Sequence, residues 1–301
     1  MAPRALPALL ALLATFPLVN CAPLSPDRNA VLVKPKVPPP LPSPPLPEGP
    51  PPVIFAESAI VVDAMTGRIL AAKNPDSPRA VASTQKLMTA LLVMEGGSLD
   101  KVVTIQASDG HVEPTKLYLK PGEQYTRREL LKVIMVKSAN DASMALARDV
   151  AGSKEAFAQR MTARARSLGM NNSQFQNPHG LTEPNQYSTA RDLSILARKV
   201  YPYTFLRQCM RTRKFTFTYN DGRTKTVEST NKLLDRLSYV TGMKTGTTNA
   251  AGRCLVSSGS LNGRVVIAVV LKSNTANVWN DSEKLMRWAL ETSPRAAIPA
   301  N

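Results

Sequence analysis

The stretch Ser83-Thr84-Gln85-Lys86-Leu87-Met88-Thr89-Ala90-Leu91-Leu92-Val93-Met94-Glu95, closed by Gly96-Gly97, decides how the rest of the chain is read. Apolar residues fall on nearly every face of its helical projection, the pattern of a helix buried inside a globular body. The glycine pair ends it. Its first turn carries a serine and, three residues on, a lysine, and that offset stacks the two side chains one turn apart. A serine hydroxyl is a weak nucleophile and needs a base. A lysine amine is a base only when neutral, and burial beside a second cation moves its pKa in that direction. A helix start also places backbone N–H groups and the positive dipole end beside Ser83.

Outward from this helix, residues 58–63 read as a strand, Met65-Thr66-Gly67 as a turn, and 68–73 as the returning strand. Thr126-Arg127-Arg128-Glu129 is a capping box ahead of an apolar run to Val136. Helices are expected over 141–151, 154–168 and 189–201, the second closed by Gly169. Residues 215–219 alternate, Asp221-Gly222 turns the chain, and 224–228 return. A further hairpin runs over 252–260 and 264–272 about Asn262-Gly263, and a last helix covers 280–292. Strands gather at both ends with helices between them. The expected class is α+β, the terminal segments sharing one antiparallel sheet flanked by helices, with an all-helical subdomain.

The composition fits this layout. The chain has 301 residues, 43% hydrophobic and 20% charged, ample for a core. A net charge of +16 suits polyanionic surroundings, but no basic run interleaved with aromatics and no nucleic-acid motif appears. The only histidines are His111 and His179, so a histidine metal site or a Ser-His-Asp triad has little to draw on. His179 follows Asn177-Pro178, a turn signal, and reads as a structural loop residue. Asp141 and Asp192 read as helix-start acids. Cys209 and Cys254 show neither metal spacing nor a disulfide framework and read as buried thiols.

The N-terminus reads as a secretory signal over 1–21: Arg4, then an apolar run over 5–19 too short for a comfortable membrane span. It ends in Leu18-Val19-Asn20-Cys21, similar to a lipoprotein cleavage site, which makes Cys21 the candidate lipid anchor to a membrane. Residues 22–52 read as a linker with no packing, since 23–52 hold 13 of the 25 prolines. Extended at roughly 3.1 Å per residue, such a segment reaches on the order of 90 Å. A catalytic domain is expected over 53–293, with a tail over 294–301.

Three motifs occur in order: Ser83-Thr84-Gln85-Lys86 (S-x-x-K), Ser138-Ala139-Asn140 (S-x-N) and Lys244-Thr245-Gly246 (K-T-G). Singly they are weak. Ser98-Leu99-Asp100-Lys101 is a second S-x-x-K and Ser229-Thr230-Asn231 a second S-x-N, but Ser98 follows Gly96-Gly97 in a loop, where nothing fixes the geometry. Ser138 to Asn140 lies between two helices, where a loop presents polar groups to a cleft. Lys244 to Gly246 is expected on a strand beside the 252–260 strand, with Gly246 letting substrate backbone approach. In these roles Ser83 is the nucleophile, Lys86 its base and Ser138 a proton relay to the departing nitrogen. Asn140 orients the substrate peptide, and Lys244 and Thr245 receive a terminal carboxylate. The backbone N–H groups of Ser83 and Thr247 hold the oxyanion.

With these motifs, the chain over about 57–292 resembles the D-alanyl-D-alanine carboxypeptidases and related endopeptidases among the low-molecular-mass penicillin-binding proteins. Leu119-Lys120-Pro121-Gly122, His179-Gly180-Leu181, Tyr187 to Asp192, Asn231 to Leu234 and Gly242 to Gly246 carry the likeness further. The resemblance implies a β-lactamase/transpeptidase-like fold and acyl-enzyme chemistry on peptidoglycan stem peptides. It also implies covalent trapping by β-lactams, no cofactor and no metal, and a location in the periplasm or cell envelope.

Many relatives carry a second small β-domain and a membrane-binding C-terminal helix. This chain ends soon after its last expected helix, so attachment is expected at the N-terminus. Some carboxypeptidases hold the substrate carboxylate with an Arg after the last core strand, where this chain has Asn274, with Lys272 nearby as a substitute. The main expectation is a D,D-carboxypeptidase removing a terminal D-Ala. The alternatives are a D,D-endopeptidase cleaving cross-links and a non-catalytic wall-binding protein. A class A β-lactamase needs a deacylating Glu about 35 residues beyond the S-x-N. Gln174 stands there, and a slow-clearing penicilloyl adduct is expected.

Overall fold

A computed structural model describes residues 45–293. The signal segment, Cys21, the linker as far as 44 and the tail from 294 lie outside the described residues.

Five strands form one sheet: β1 (Ser58–Asp63), β2 (Ile69–Lys73), β7 (Val240–Thr248), β8 (Gly252–Leu261) and β9 (Arg264–Ser273), in the order β2-β1-β9-β8-β7. Every pairing in it is antiparallel. The two ends of the described chain therefore share a sheet, as the distribution of strand signals predicts. Two-stranded ribbons are formed by β3 (Val102–Thr104) with β4 (Gln124–Thr126), and by β5 (Lys214–Thr218) with β6 (Thr224–Glu228).

Strand β9 shows why the sheet sits in the middle of the molecule. Ile267, Val269 and Leu271 face one apolar cluster, while Val266, Ala268 and Val270 face another, and all six are essentially buried. Alternation with period two thus buries both faces. One face meets the larger core built with α1 (Lys86–Glu95), α2 (Arg127–Val136), α3 (Asn140–Ala151), α4 (Lys154–Ser167), α5 (Ala190–Val200) and α6 (Thr204–Arg211). The other meets α7 (Leu233–Arg236) and α8 (Asn277–Glu291).

The local signals act as their chemistry requires. The Thr126 hydroxyl accepts from the Glu129 N–H at 3.2 Å, and the Glu129 carboxylate accepts from the Thr126 N–H at 2.7 Å, closing the capping box of α2. Ser153 and Thr189 cap α4 and α5 by their hydroxyls alone, accepting from the N–H groups of Ala156 and Asp192. Gly169 ends α4 at φ +83°.

Three differences from expectation have physical causes. The helix expected from residue 83 begins with a 3-10 turn, Ala82–Gln85, and becomes α-helical at Lys86. In a 3-10 turn residues three apart eclipse one another, which draws Ser83 and Lys86 closer than an α-turn would. The eight-residue α6 was not expected, being only two turns long between Pro202 and Thr212. The proline-rich stretch also joins the body earlier than residue 53. Pro47 is buried, Glu48 N–H donates to Thr292 O at 3.2 Å, and Trp288 Nε1 donates to Gly49 O at 3.3 Å. Proline cannot enter a ladder, but its carbonyl can still accept: Arg264 Nη1 donates to Pro45 O at 2.7 Å.

Candidate active site

The three motifs meet at one end of β7. Ser83 sits on the 3-10 turn, Ser138 on the short link between α2 and α3, and Lys244 to Thr247 on β7 itself. They line or underlie a cleft of about 220 Å³ whose walls include Ser83, Ser138, Thr230, Thr245, Gly246 and Thr247.

Lys86 is fully buried and its Nζ lies 2.8 Å from Ser83 Oγ. The same nitrogen donates to Asn140 Oδ1 at 2.7 Å and to the His179 carbonyl at 2.6 Å. Burial pushes its pKa well below the ordinary lysine value, and the charge of Lys244 pushes it further, against a smaller opposite effect of Asp141. Lys244 is also buried, and burial lowers it to about 7; its one hydrogen bond among the described residues goes to Thr245 O at 3.0 Å.

Backbone placement brings these groups together. Ala82 at φ +49° and Ser138 at φ +69° occupy left-handed conformations that non-glycine residues adopt at a cost of about 1–3 kcal/mol each. Gly180, at φ +93°, packs so tightly on the Ser83 turn that a Cβ would fall 2.2 Å from Ala82 O and 2.8 Å from Ser83 N. A Cβ at Gly246 would fall 2.8 Å from Val81 O and 3.0 Å from Ser83 N. Gly246 therefore makes room for the nucleophile's own turn, and it also borders the cleft.

Asn140 begins α3, one residue earlier than expected, and its amide is engaged at both ends. Oδ1 accepts from Lys86, and Nδ2 donates to Pro114 O at 2.6 Å, leaving one N–H free for a ligand. Ser138 Oγ is buried without a hydrogen-bond partner among the described residues, although it borders the cleft. Asp141 fixes the adjoining wall by accepting from the N–H groups of Leu117, Tyr118 and Leu119 at 2.8–3.2 Å.

The His179 side chain takes no part. Burial, with Lys86 and Lys154 nearby, lowers its pKa to about 3, and its neutral Nδ1 accepts from Leu181 N–H at 3.2 Å. Its carbonyl, however, is one of the three groups around Lys86 Nζ. That contact spans 93 residues of chain, and no local signal announces it.

Sequence reasoning missed several cleft residues, two of which bond to β7. Thr230, inside the motif set aside as a decoy, lies 2.6 Å from Thr245 by its hydroxyl. Arg253 on β8 pairs across the ladder with Thr247 and donates to Thr247 Oγ1 at 2.9 Å. The hairpin register was the signal for Arg253. The other decoy is inert: Ser98 Oγ accepts from Asp100 N–H at 3.2 Å, and Lys101 pairs with Asp149 at 2.7 Å. Asn274 caps the first turn of α8, and Lys272 Nζ donates to Ala250 O at 2.8 Å, so neither borders the cleft. Gln174 and Glu183 line a separate concavity of about 820 Å³ against α4. Cys209 and Cys254 are both free and buried. Among the described residues there is no metal-binding cluster of His, Cys, Asp and Glu, and no helix is long and apolar enough to cross a membrane.

The chain is similar to the D-alanyl-D-alanine carboxypeptidase DacF of Bacillus subtilis, 37% identical over 232 residues, which are 73% of this chain and 58% of that protein. It is similar to the D-alanyl-D-alanine endopeptidase of Pseudomonas aeruginosa, 36% identical over 248 residues, 81% of this chain and 79% of that one. The crystal structure of the Streptomyces K15 DD-transpeptidase superposes with a TM-score of 0.76 at 30% identity, covering 80% of this chain and 99% of that one. This shared architecture is the transpeptidase-like fold that the motifs imply. A family model described as D-alanyl-D-alanine carboxypeptidase matches residues 47–275. By that match, and by the fold and the motif geometry it encloses, the chain belongs to the D-alanyl-D-alanine carboxypeptidase family.

Proposed function

We propose that this protein is a serine D,D-carboxypeptidase that removes the terminal D-Ala from peptidoglycan stem pentapeptides through an acyl-enzyme on Ser83, and that β-lactams acylate the same residue. The observation that carries this is the surrounding of Lys86 Nζ. Two of its three neighbours, Asn140 Oδ1 and His179 O, can only accept, so they take the two N–H groups of a neutral amine. The lone pair is left for the third neighbour, the Ser83 hydroxyl 2.8 Å away, once that hydroxyl turns from the His179 carbonyl to which it donates at 3.2 Å.

The reaction follows from these groups. Ser83 Oγ attacks the penultimate carbonyl as its proton passes to Lys86 Nζ. Backbone N–H groups of Ser83 and Thr247 hold the oxyanion. The C–N bond then breaks, and the proton reaches the departing D-Ala nitrogen through Ser138 Oγ, whose lack of an internal partner suits a relay. Water attacks the ester and gives its proton to Lys86, which passes it to Ser83 Oγ as the ester C–O bond breaks. The free Nδ2 N–H of Asn140 orients the stem peptide, while Lys244, Thr245 and the Gly246-Thr247 backbone take the leaving side.

The second reading is a D,D-endopeptidase using the same residues. The relative named an endopeptidase favours it, being matched over more of its own length than the relative named a carboxypeptidase. Incubation with a stem pentapeptide and with cross-linked muropeptides separates the two. Release of D-Ala with intact cross-links is expected, and cross-link cleavage without D-Ala release replaces the first reading with the second.

For the whole chain, the proposal includes export by the signal over 1–21, lipid attachment at Cys21 in the cell envelope, a linker from 22 and a catalytic domain ending near 293. Support comes from the sequence and from a site suited to a wall polymer.

A further inference from the structure

Three consecutive carbonyls of the loop between α4 and α5 are held by side chains from the end of the 3-10 turn and the start of α1. Asn177 O accepts from Gln85 Nε2, Pro178 O from Thr89 Oγ1 and His179 O from Lys86 Nζ, each at 2.6 Å. All six residues are buried. The Asn177 side chain then closes the loop on itself. Its Oδ1 accepts from the N–H groups of His179 at 3.2 Å and Gly180 at 2.7 Å, and its Nδ2 donates to Leu181 O at 2.9 Å. A short amide side chain suits such a turn, because it reaches the backbone two or three residues on. Gln186 fastens the outer side: Nε2 donates to Leu181 O at 2.7 Å, and Oε1 accepts from Gln85 Nε2 at 3.3 Å.

This network fixes one oxygen. The His179 carbonyl touches both reacting groups, Lys86 Nζ at 2.6 Å and Ser83 Oγ at 3.2 Å. Lys86 by itself is a poor anchor for it. The amine gains and loses a proton in each turnover, and its hydrogen bonds strengthen and weaken with its charge. A carbonyl held by the neutral groups of Gln85, Thr89 and Asn177 keeps its place through both states, as a preorganised acceptor must. The same Asn177 Oδ1 holds the N–H of Gly180, the residue that packs against Ala82 O and Ser83 N.

We propose that Asn177 is a positioning residue for acylation: the turn it closes over 177–181 holds the His179 carbonyl on Lys86 and Ser83, and holds Gly180 against the nucleophile's turn. This rests on the function proposed above, in which Lys86 is the base. The bonds of Asn177 go to backbone groups and to Gln85, so it acts on the reacting atoms only through the loop. The charged and titratable groups that face Lys86 are Lys244 on β7, Asp141 on α3 and His179 on the loop, with Lys154 on α4 acting on His179. None of these is altered by a change at residue 177. Loss of the carbonyl removes an acceptor that favours the charged amine, so the acid limb of the acylation rate moves to lower pH.

The test compares rates of acylation by benzylpenicillin across pH for the native protein, Asn177→Ala and Asn177→Ser. A serine hydroxyl closes a similar turn and alanine does not. Asn177→Ala should acylate roughly tenfold slower or worse, with its acid limb about one pH unit lower. Asn177→Ser should recover the rate to within about threefold and restore the acid limb. Ser153→Ala removes a cap from α4, so it should lower Tm and leave both readings unchanged. Thermal melts identify any variant that fails to fold. If Asn177→Ala is one, Thr89→Val and Thr89→Ser carry the comparison, since only the valine loses the bond to Pro178 O and only it should slow acylation. A native rate in Asn177→Ala, an acid limb that does not move, no rescue by serine, or, in the second pair, equal rates for valine and serine overturns the inference. Absence of acylation in the native protein is a separate result, which overturns the acyl-enzyme reading and the inference with it.

Discussion

At the residue scale, the site depends on two lysines kept out of water. Both Lys86 and Lys244 have pKa values lowered by burial, Lys244 to about 7. A depressed lysine pKa means that the folded protein binds fewer protons than the unfolded chain between the folded and unfolded values. Stability from Lys244 therefore rises with pH from about 7 to the ordinary lysine value near 10.5, and the full penalty is present below about 7. Replacing the residue by an apolar one removes that penalty. Lys244→Met is expected to stabilise the protein at pH 7 by about 1–4 kcal/mol while slowing acylation, read by paired thermal melts and penicillin-labelling rates. A lower melting temperature in the variant would refute the assignment of Lys244 as a destabilising buried cation. For Lys86 the functional sign is also fixed. Only the neutral amine is a base, so the labelling rate should fall on the acid side as pH drops through its lowered pKa, and a rate that instead rises as the pH is lowered would exclude Lys86 as the base.

At the element scale, the site is positioned by close backbone approach, and this was the least legible part of the sequence. Strands β1, β2, β8 and β9 and helices α3, α4, α5 and α8 announce themselves by period, caps and turn residues, and the structure places them within a few residues of expectation. Ser83, Lys86, Ser138 and Lys244 were legible because their motifs are contiguous. The His179 carbonyl, Thr230 and Arg253 were not, because each reaches the cleft through tertiary contact or strand register. Gly180 shows what such contacts demand. A methyl group there would meet Ala82 O at 2.2 Å, and its φ of +93° already disfavours a side chain. Gly180→Ala should cost about 3 kcal/mol, a fall in Tm of roughly 6–12 °C, and should slow penicillin labelling more than tenfold by displacing the Ser83 turn. A variant that melts lower but labels at the native rate would show that the loop stabilises the fold without setting the nucleophile.

At the scale of the whole molecule, the sheet carries a core on each face and the nucleophile's turn rests against its edge strand β7. The chain segment before β1 belongs to this body. Pro47 is buried, and residues 45, 48 and 49 bond to the end of α8 or to Arg264. Asp281 completes the attachment by accepting from Phe55 and Ala56 N–H at 3.0 and 2.8 Å. Trimming to residue 45 should leave Tm unchanged, while trimming to residue 53 should lower it by about 5 °C, the loss of one buried side chain and about three hydrogen bonds. Equal melting temperatures would return residues 45–52 to the linker, as composition alone had suggested.

The central claim is that Ser83, activated by Lys86, forms an ester with its substrate and with penicillin. Peptide mapping by mass spectrometry after incubation with benzylpenicillin tests it most directly. The expected result is one penicilloyl group, on the peptide that contains Ser83, slow to clear and absent from Ser83→Ala protein. No adduct on the native protein, or an adduct on another serine such as Ser98, would contradict it.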